Sequence, residues 1–165
     1  MSENDQIDLQ IVDILMEDGR MPAAEIARRI GGGISERVVR YRIERMVKDE
    51  VIQIRPIVSP QSFGLSIRAD VLLEVESDAI MDVAQKAATY ECVSYVACSI
   101  GEMDVSIQLV AKDTAEIYRF VTEVIRKMPG VRRTTTSIVP IVLKDVYQWG
   151  IPRDTSISKN GDTPI

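Results

Sequence analysis

Histidine is missing from this sequence: none of the 165 residues is a histidine. It is the most frequent general base in enzymes, and it belongs to most zinc-binding patterns. Cysteine is scarce as well, and Cys92 and Cys98 are too few to form a disulfide framework. We expect both to behave as small buried hydrophobic residues. The sequence therefore predicts a protein that is not an enzyme and that holds no metal ion or cofactor.

Long apolar runs are also absent, and aromatic residues make up only 5% of the chain. No stretch approaches the roughly 20 apolar residues that cross a bilayer, and the N-terminal MSENDQ lacks the basic and apolar regions of a signal peptide. A hydrophobic content of 45% beside 27% charged residues is typical of globular proteins in water. We therefore expect a cytoplasmic protein that does not bind membranes.

Positive charge is concentrated in one segment, Pro22–Lys48 (PAAEIARRIGGGISERVVRYRIERMVK). Between Arg20 and Lys48 there are eight basic residues against three acidic ones, although the whole chain has a net charge of -5. Apolar residues recur at helical spacing on both sides of Gly31–Gly33, and Ser35 stands where a helix N-cap is expected. Two helices joined by a glycine turn, with a basic outer face, are typical of a helix-turn-helix that binds double-stranded DNA.

The second helix of this pair supplies the candidates for DNA contact. Val39, Ile43, Met46 and Val47 are predicted to form its inward stripe, so the polar side chains on the other sides face solvent. Residues early in such a helix usually read base edges, whereas those near its end contact phosphates. Arg42 precedes a core residue, and we leave it open between structural support and phosphate contact. The predicted DNA-binding residues are Ser35, Arg37, Arg40, Tyr41, Arg45 and Lys48.

The segments on either side complete a first domain, predicted to span residues 1–60. Asp8 is expected to open an amphipathic helix that ends at Asp18–Arg20, which gives a three-helix unit. After the second helix of the pair, the β-rich run Val51–Val58 predicts a wing and a linker strand. The boundary falls near Pro60, because Ser59 and Pro60 interrupt the pattern. The first domain is therefore predicted to be a winged helix-turn-helix.

The region 61–150 has a different pattern, in which strands and helices alternate. The predicted elements are a strand at Ala69–Val75, a helix capped by Asp78, strands at Ser94–Ile100 and Val105–Val110, a helix opened by an Asp113/Glu116 capping box, and a strand at Thr134–Val146. The order β-α-β-β-α-β is that of a ferredoxin-like domain with helices on one face of an antiparallel sheet. The fold class is therefore α+β, with two domains.

Three further expectations concern the sheet and the C-terminus. Apolar residues appear on both alternating sets of the strands, which predicts that the helix-free face is also buried, by a second copy of the chain. Pro140 cannot donate to a ladder, so its strand should lie at an edge or be interrupted. Ser, Thr, Asn, Asp and Gly dominate residues 151–165, which predicts a disordered tail.

Over nearly its whole length the chain resembles the Lrp/AsnC family of transcriptional regulators. The resemblance rests on several blocks in the family's order and spacing. These blocks are Asp8, Ile11, Val12 and Leu15 with Asp18-Gly19-Arg20; Ser35, Val39, Arg42, Ile43 and Met46; Val51-Ile52; Phe63-Gly64-Leu65; Gly101-Glu102-Met103-Asp104; and Pro129-Gly130-Val131 with Thr136 and Ile138-Val139. Two features differ from the family pattern: Gly32 and Gly33 lengthen the turn, and Pro140 interrupts the last strand.

The resemblance implies a DNA-binding domain joined to a βαββαβ ligand-sensing (RAM) domain. It implies a homodimer that often assembles into octamers, and a small effector that is usually an amino acid. The effector would bind at the Gly-x-x-Asp turn, with the first residues of the last strand nearby. The candidate effector-binding residues are Gly101, Glu102, Met103, Asp104, Thr134 and Thr136.

Alternatives remain for both candidate sites. Glycine and aspartate are what a tight hairpin turn needs in any case, so the 101–104 segment is open between a plain turn and a binding site in which Asp104 accepts hydrogen bonds from an ammonium group. The basic helix would also serve an architectural protein that binds DNA with little sequence choice. A third possibility is an amino-acid sensor that has lost DNA binding, since the turn at Gly31–Gly33 is enlarged.

Overall fold

The computed structural model describes residues 3–151, in which the chain forms two compact units. Unit 1 contains the chain up to Ile57 together with the segment that follows Lys144, and unit 2 is Val58–Leu143. The segment 144–150, assigned to the second domain by sequence, therefore lies in unit 1. The predicted disordered tail, apart from Ile151, falls outside the described residues. None of the helices in the described part of the chain is long and apolar enough to cross a membrane.

Unit 1 is built on three helices: α1 (Glu3–Glu17), α2 (Ala23–Ile30) and α3 (Glu36–Lys48). Each helix contributes an apolar stripe to one core, as the helical spacing predicted, but Val47 of α3 was wrongly placed in the stripe, since it is 44% exposed. The buried residues of this core are Ile11, Ile26, Ala27, Val39 and Met46. Asp8 does not open α1, because the helix begins five residues earlier, and the side chain of Asp8 has a different role described below.

The turn between α2 and α3 depends on glycine. Gly31, Gly32 and Gly33 have φ angles of 72°, 62° and 76°, a region that L-residues with a side chain rarely adopt. Ser35 then caps α3, since its Oγ accepts a hydrogen bond from the backbone N–H of Val38 at 3.3 Å. The sequence prediction of a glycine stop followed by a serine cap is confirmed.

The wing predicted at Val51–Val58 does not form in this chain. The segment has no ladder hydrogen bonds and no strand, and the described part of unit 1 contains no strand at all. The β propensity of the residues is real, but a strand needs a partner, and Pro56 would in any case remove a ladder donor. The helix-turn-helix is therefore followed by an extended linker.

Unit 2 is a four-stranded antiparallel sheet with helices on one face. Its elements are β1 (Ile67–Val75), α4 (Ile80–Ala87), β2 (Val93–Cys98), β3 (Val105–Ala111), α5 (Thr114–Arg119) and β4 (Val131–Val139). The strand order is β2-β3-β1-β4, which is the predicted ferredoxin-like arrangement. The strand β4 is an edge strand, as predicted from Pro140, but it ends at Val139, so the predicted continuation to Val146 does not form.

The predicted N-cap of α5 is confirmed, whereas the predicted N-cap of α4 is wrong. Asp113 caps α5 by accepting a hydrogen bond from the Glu116 N–H at 2.8 Å, and the Glu116 carboxylate accepts one from the Lys112 N–H. Asp78 does not cap α4, because the N-cap position is Ala79, which has no side-chain acceptor. After Arg119 the helix widens into one π-helical turn at Phe120–Val124.

The two faces of the sheet differ in chemistry. Residues such as Val71, Leu73 and Ile107 pack under the helices and are fully or almost fully buried. The open face carries Arg68, Asp70, Leu72 and Glu74 from β1, Ser106, Gln108 and Val110 from β3, and Arg133, Thr135, Ser137 and Val139 from β4. The prediction of an apolar second face is therefore wrong, because charged and polar residues occupy most of its positions.

We expect Gly130→Ala to be the more damaging of two alanine substitutions at left-handed glycines in unit 2. Gly130 has φ 85°, and an added Cβ would overlap the Cβ of Ala79, whereas Gly64 has φ 77° with open space around it. Backbone strain and overpacking together should lower the free energy of unfolding by roughly 2–5 kcal/mol at Gly130, against about 1–2 kcal/mol from strain alone at Gly64.

Urea titrations of the full chain, followed by circular dichroism, measure both changes. Equal losses for the two variants would show that Ala79 does not restrict position 130.

Candidate DNA-binding surface and effector turn

The orientation of α3 within unit 1 is fixed by an ion-pair cluster as well as by its apolar stripe. The carboxylate of Asp8 in α1 accepts a hydrogen bond from Arg42 Nη1 at 2.8 Å and another from Arg45 Nη2. The Arg42 side chain is only 12% exposed and that of Asp8 only 19%. Arg42 is therefore a structural residue that ties α3 to α1, which answers the question left open by the sequence.

Other cations near α3 are also engaged by carboxylates. Arg45 shares Asp8, and Arg40 pairs with Glu36 one turn earlier on the same helix. Ion pairs on an exposed helix surface are weak and exchange readily, so the Arg40–Glu36 contact can open when a phosphate or a base approaches. In contrast, the partly buried position of Asp8 makes the Arg45 contact harder to give up.

A similar cluster joins α1 and α2. The Glu25 carboxylate accepts hydrogen bonds from Arg28 Nε at 2.8 Å and from Arg29 Nε at 3.3 Å, and Arg29 Nη1 also donates to Glu17 at 2.9 Å. The hydrogen bond from Arg28 is the main cause that lowers the pKa of Glu25 to about 2, and Arg29 contributes. The arginines of α2 are therefore balanced by acidic side chains of the same unit.

One face of α3 is accessible to a binding partner, and we call it the outward surface of α3. It consists of Arg37, Val38, Tyr41, Glu44 and Lys48. All five side chains are exposed, and Tyr41 is 63% exposed. Within the part of the chain that the structure describes, neither Arg37 nor Lys48 forms an ion pair. Of the five basic side chains of α3, these two are thus free to meet phosphates or base edges directly.

Ser35 immediately precedes α3, and its hydroxyl oxygen already accepts the capping hydrogen bond from the Val38 N–H. The predicted DNA-binding residues therefore divide into three groups. Arg37, Tyr41 and Lys48 are exposed and available, Arg40 and Arg45 are paired within the unit, and Ser35 serves the helix terminus.

An open groove of about 1230 Å³ also lies in unit 1. It is lined by apolar residues of α1, of the extended linker and of the segment after Lys144, among them Leu15, Ile54 and Trp149, together with charged residues that include Asp8 and Arg45. Neither Arg37 nor Tyr41 lines it. The groove is therefore separate from the outward surface of α3.

In unit 2 the turn between β2 and β3 is fastened to β1 by Asp104. The Asp104 N–H donates to the carbonyl of Leu73 at 2.8 Å, and Asp104 Oδ2 accepts from the Val75 N–H at 2.8 Å. The Asp104 carbonyl accepts from the Ser99 N–H, also at 2.8 Å. Asp104 therefore has a structural role in this turn, whether or not it also binds a ligand.

The remaining effector candidates lie at the same end of the sheet. Glu102 is within 3.5 Å of Arg133, which also pairs with Glu74 at 3.3 Å, so the turn approaches the start of β4. Thr134 pairs with Leu73 and Thr136 with Val71, which places both threonines on the helix side of the edge strand. The structure thus brings Glu102, Asp104 and Thr134 to one end of unit 2, and Thr136 lies one pleat further along the strand.

Two features of the sites were not found from sequence. Asp8 pairs with Arg42 and Arg45 across more than thirty residues of sequence, and no local sequence pattern predicts such a contact. The prediction that both cysteines are buried is wrong for Cys98, which is exposed. Cys92 is half-buried, and this burial raises the pKa of its thiol.

Comparison with known families identifies both units. The family model for the AsnC-type helix-turn-helix domain matches residues 5–47, and that for the Lrp/AsnC ligand binding domain matches residues 68–148. The chain belongs to the Lrp/AsnC family. It is thus a DNA-binding transcriptional regulator of the Lrp/AsnC type with a ligand-binding domain, and not an enzyme.

Relatives in sequence support this assignment over most of the chain. An uncharacterised HTH-type transcriptional regulator of Pyrococcus horikoshii is 35% identical over 152 residues, which cover 92% of this chain and 92% of that protein. The HTH-type transcriptional regulator FL11 of Pyrococcus abyssi is 32% identical over 136 residues, covering 82% of this chain and 88% of FL11.

Solved structures of Lrp/AsnC proteins share the fold. E. coli AsnC matches with a TM-score of 0.77 at 20% identity, over 89% of this chain and 99% of AsnC. A transcriptional regulator from Neisseria meningitidis, solved as a complex with L-Met, matches with a TM-score of 0.80 at 22% identity, over 90% of this chain and 96% of that one.

We predict that Asp8→Asn destabilises unit 1, because it removes the charge of a partly buried carboxylate that contacts both Arg42 and Arg45. The expected loss is about 1–3 kcal/mol in the free energy of unfolding. Glu17→Gln is the matched control: it also removes one carboxylate from α1, but Glu17 is exposed and pairs only with Arg29 among the described residues, so the loss should stay below about 1 kcal/mol.

Trp149 is the only tryptophan of the chain and lies in unit 1, so its fluorescence during urea unfolding reports on this unit. If the two variants unfold at the same urea concentration, the contacts of Asp8 with Arg42 and Arg45 do not stabilise unit 1 more than an exposed ion pair does.

Proposed function

We propose that this protein regulates transcription by binding a pseudo-palindromic DNA site as a dimer, and that an amino acid alters the assembly of the dimers. The observation that carries the DNA part is the outward surface of α3, where Arg37 and Lys48 have no carboxylate partner within the described chain. A cation that is already paired must break that contact to bind phosphate, whereas these two are ready to bind.

Their positions suggest different tasks. Arg37 is in the first turn of α3, where a recognition helix meets base edges, and its guanidinium can donate two hydrogen bonds to a guanine. Lys48 is the last residue of α3 and carries a compact charge suited to phosphate. We therefore assign base reading to Arg37, with Arg40 beside it once Glu36 releases it, and backbone contact to Lys48.

The open face of the sheet in unit 2 supports a homodimer. It combines the exposed side chains Leu72 and Tyr95 with charged groups and with the Asp70–Gln108 hydrogen bond of 2.9 Å. A mixed face of this kind is typical of an interface between chains rather than of a domain core. When a dimer binds a pseudo-palindromic site, its two recognition helices lie about one turn of DNA apart, or roughly 10 base pairs.

Support for an amino-acid effector comes from the turn of unit 2. Asp104 uses Oδ2 for the Val75 N–H, and a carboxylate has further lone pairs that can accept from an ammonium group. The Thr134 hydroxyl is at the same end of the sheet and can donate to a carboxylate. The Neisseria relative bound to L-Met is a further reason to screen amino acids first.

A ligand that contacts two dimers at this turn would favour the octamer over the dimer. Linkage requires the assembly equilibrium to shift by the difference in affinity for the two states, typically about 1–3 kcal/mol. A changed assembly alters how many recognition helices meet the DNA together, so occupancy changes more than the ligand affinity alone would suggest.

We expect Arg37→Ala and Lys48→Ala to weaken DNA binding in different ways. Arg37→Ala should relax base preference at one position of each half-site, at a cost of about 1–3 kcal/mol. Lys48→Ala should weaken all sequences alike and reduce the slope of log K against log salt by about 1. Arg126→Ala, in unit 2, removes the same charge and should do neither.

Selection of duplexes from a random pool, followed by titrations at several salt concentrations, distinguishes these outcomes. Tight binding without any preferred sequence would favour the architectural alternative. No binding at all would favour a sensor that has lost DNA binding.

We also predict that an amino acid that binds the turn stabilises the protein and shifts it between dimer and octamer. Asp104→Asn keeps an oxygen for the Val75 N–H but loses the charge that attracts an ammonium group, so affinity should fall at least about ten-fold, or ~1.4 kcal/mol. Thr134→Val removes only the hydroxyl and should weaken binding less. Asp82→Asn on the exposed surface of α4 is the control.

Thermal shift and light scattering with each of the common amino acids give the affinities and the assembly state. A hit that both site variants bind as tightly as the wild type would place the effector elsewhere.

A further inference from the structure

We infer that Val38 is a specificity-determining residue that reads the methyl group of thymine in the major groove. This inference rests on the proposed DNA-binding function and concerns the same surface. It adds an apolar base contact to a recognition helix in which the other proposed base contacts are made by arginines.

The position of Val38 is well defined. Its backbone N–H is the one that Ser35 caps, so Val38 lies in the first turn of α3, the part of a recognition helix that meets base edges. Its side chain is 40% exposed and does not belong to the hydrophobic core of unit 1, whereas the next residue, Val39, is completely buried in that core. Arg37 precedes it, and the exposed ring of Tyr41 lies one helical turn further on.

The chemistry of valine restricts what it can recognise. Its side chain has no donor or acceptor, and the one apolar group that base pairs present in the major groove is the C5-methyl of thymine. Valine in a helix is held almost entirely in one χ1 rotamer. Its methyl groups therefore have fixed positions before DNA binds, and little side-chain entropy is lost on contact.

A single exposed valine is ordinary on a protein surface, so exposure alone would not suffice. The surroundings of Val38 make the difference. Among the basic residues in the first half of α3, Arg40 is paired with Glu36, and Arg37 alone is free within the described chain. With few hydrogen-bonding readers available at this end, apolar contact to thymine carries a larger share of the base discrimination.

The test compares thymine with uracil, which differ in this methyl group alone. A binding site is first selected from a random pool of DNA duplexes with the wild-type protein. Synthetic duplexes of that site then carry deoxyuridine in place of one thymidine at a time. Burying one methyl group contributes ~0.8 kcal/mol, so a single deoxyuridine should weaken wild-type binding by about four-fold, and one in each half-site by about fifteen-fold.

Variants of Val38 then assign the effect to this side chain. With Val38→Ala the thymine-to-uracil ratio at that position should fall to about one, and with Val38→Thr, which keeps one methyl, it should be intermediate. Val47→Ala removes the same methyl groups from another exposed valine, at the far end of α3, and should leave the ratio unchanged. Circular dichroism melting checks the fold, and Val38→Ala should not lower stability, because alanine is the better helix former.

The possible results distinguish a failure of this inference from a failure of the proposed DNA-binding function. If a selected site shows no sensitivity to uracil, or if Val38→Ala keeps the wild-type ratio, the assignment of Val38 is wrong while DNA binding stands. If the pool yields no preferred sequence, the proposed sequence-specific function fails, and the reading of thymine fails with it.

Discussion

Asp8 accepts hydrogen bonds from Arg42 and Arg45, and the surface that α3 presents depends on this contact between helices. The apolar stripe alone would let α3 rotate by some degrees about its axis, since aliphatic contacts have little directionality. Charged hydrogen bonds have defined geometry and are costly to break when partly buried. The pair therefore acts together with the apolar stripe to set the angle at which Arg37, Tyr41 and Lys48 face outward.

The same contact changes how the basic charge of this segment should be counted. Five residues of α3 are basic, yet Asp8 and Glu36 engage three of them, namely Arg40, Arg42 and Arg45. A count from sequence therefore overstates the charge available to DNA. Long-range steering of a polyanion still responds to the total charge, whereas contacts at the interface depend on the groups that are free. This distinction is why Arg37 and Lys48, rather than the arginines as a class, carry the proposed function.

Features with local causes could be predicted from the sequence, and features with distant causes could not. The Ser35 cap, the glycine turn, the Asp113 cap and the βαββαβ order all follow from spacing within a few residues. The wing is missing because the segment 51–58 has no partner strand. Asp8 contacts Arg42 and Arg45, which lie more than thirty residues further along the chain. The open face of the sheet was wrongly predicted to be apolar, because it contains Leu72 and Val110 but also Asp70 and Gln108, which lie between them and bond to each other.

Asp104 shows why a turn and a binding site need not be alternatives. Its carboxylate holds Val75 and its amide holds Leu73, so the turn and the end of β1 form one rigid piece. An ammonium group bound to the free lone pairs of Asp104 would act on β1 directly. The neighbour of Leu73 in the chain is Leu72, which projects from the open face that a second copy would cover. A ligand at the turn would thus reach the proposed dimer surface through a single residue step, without a conformational change spreading across the sheet.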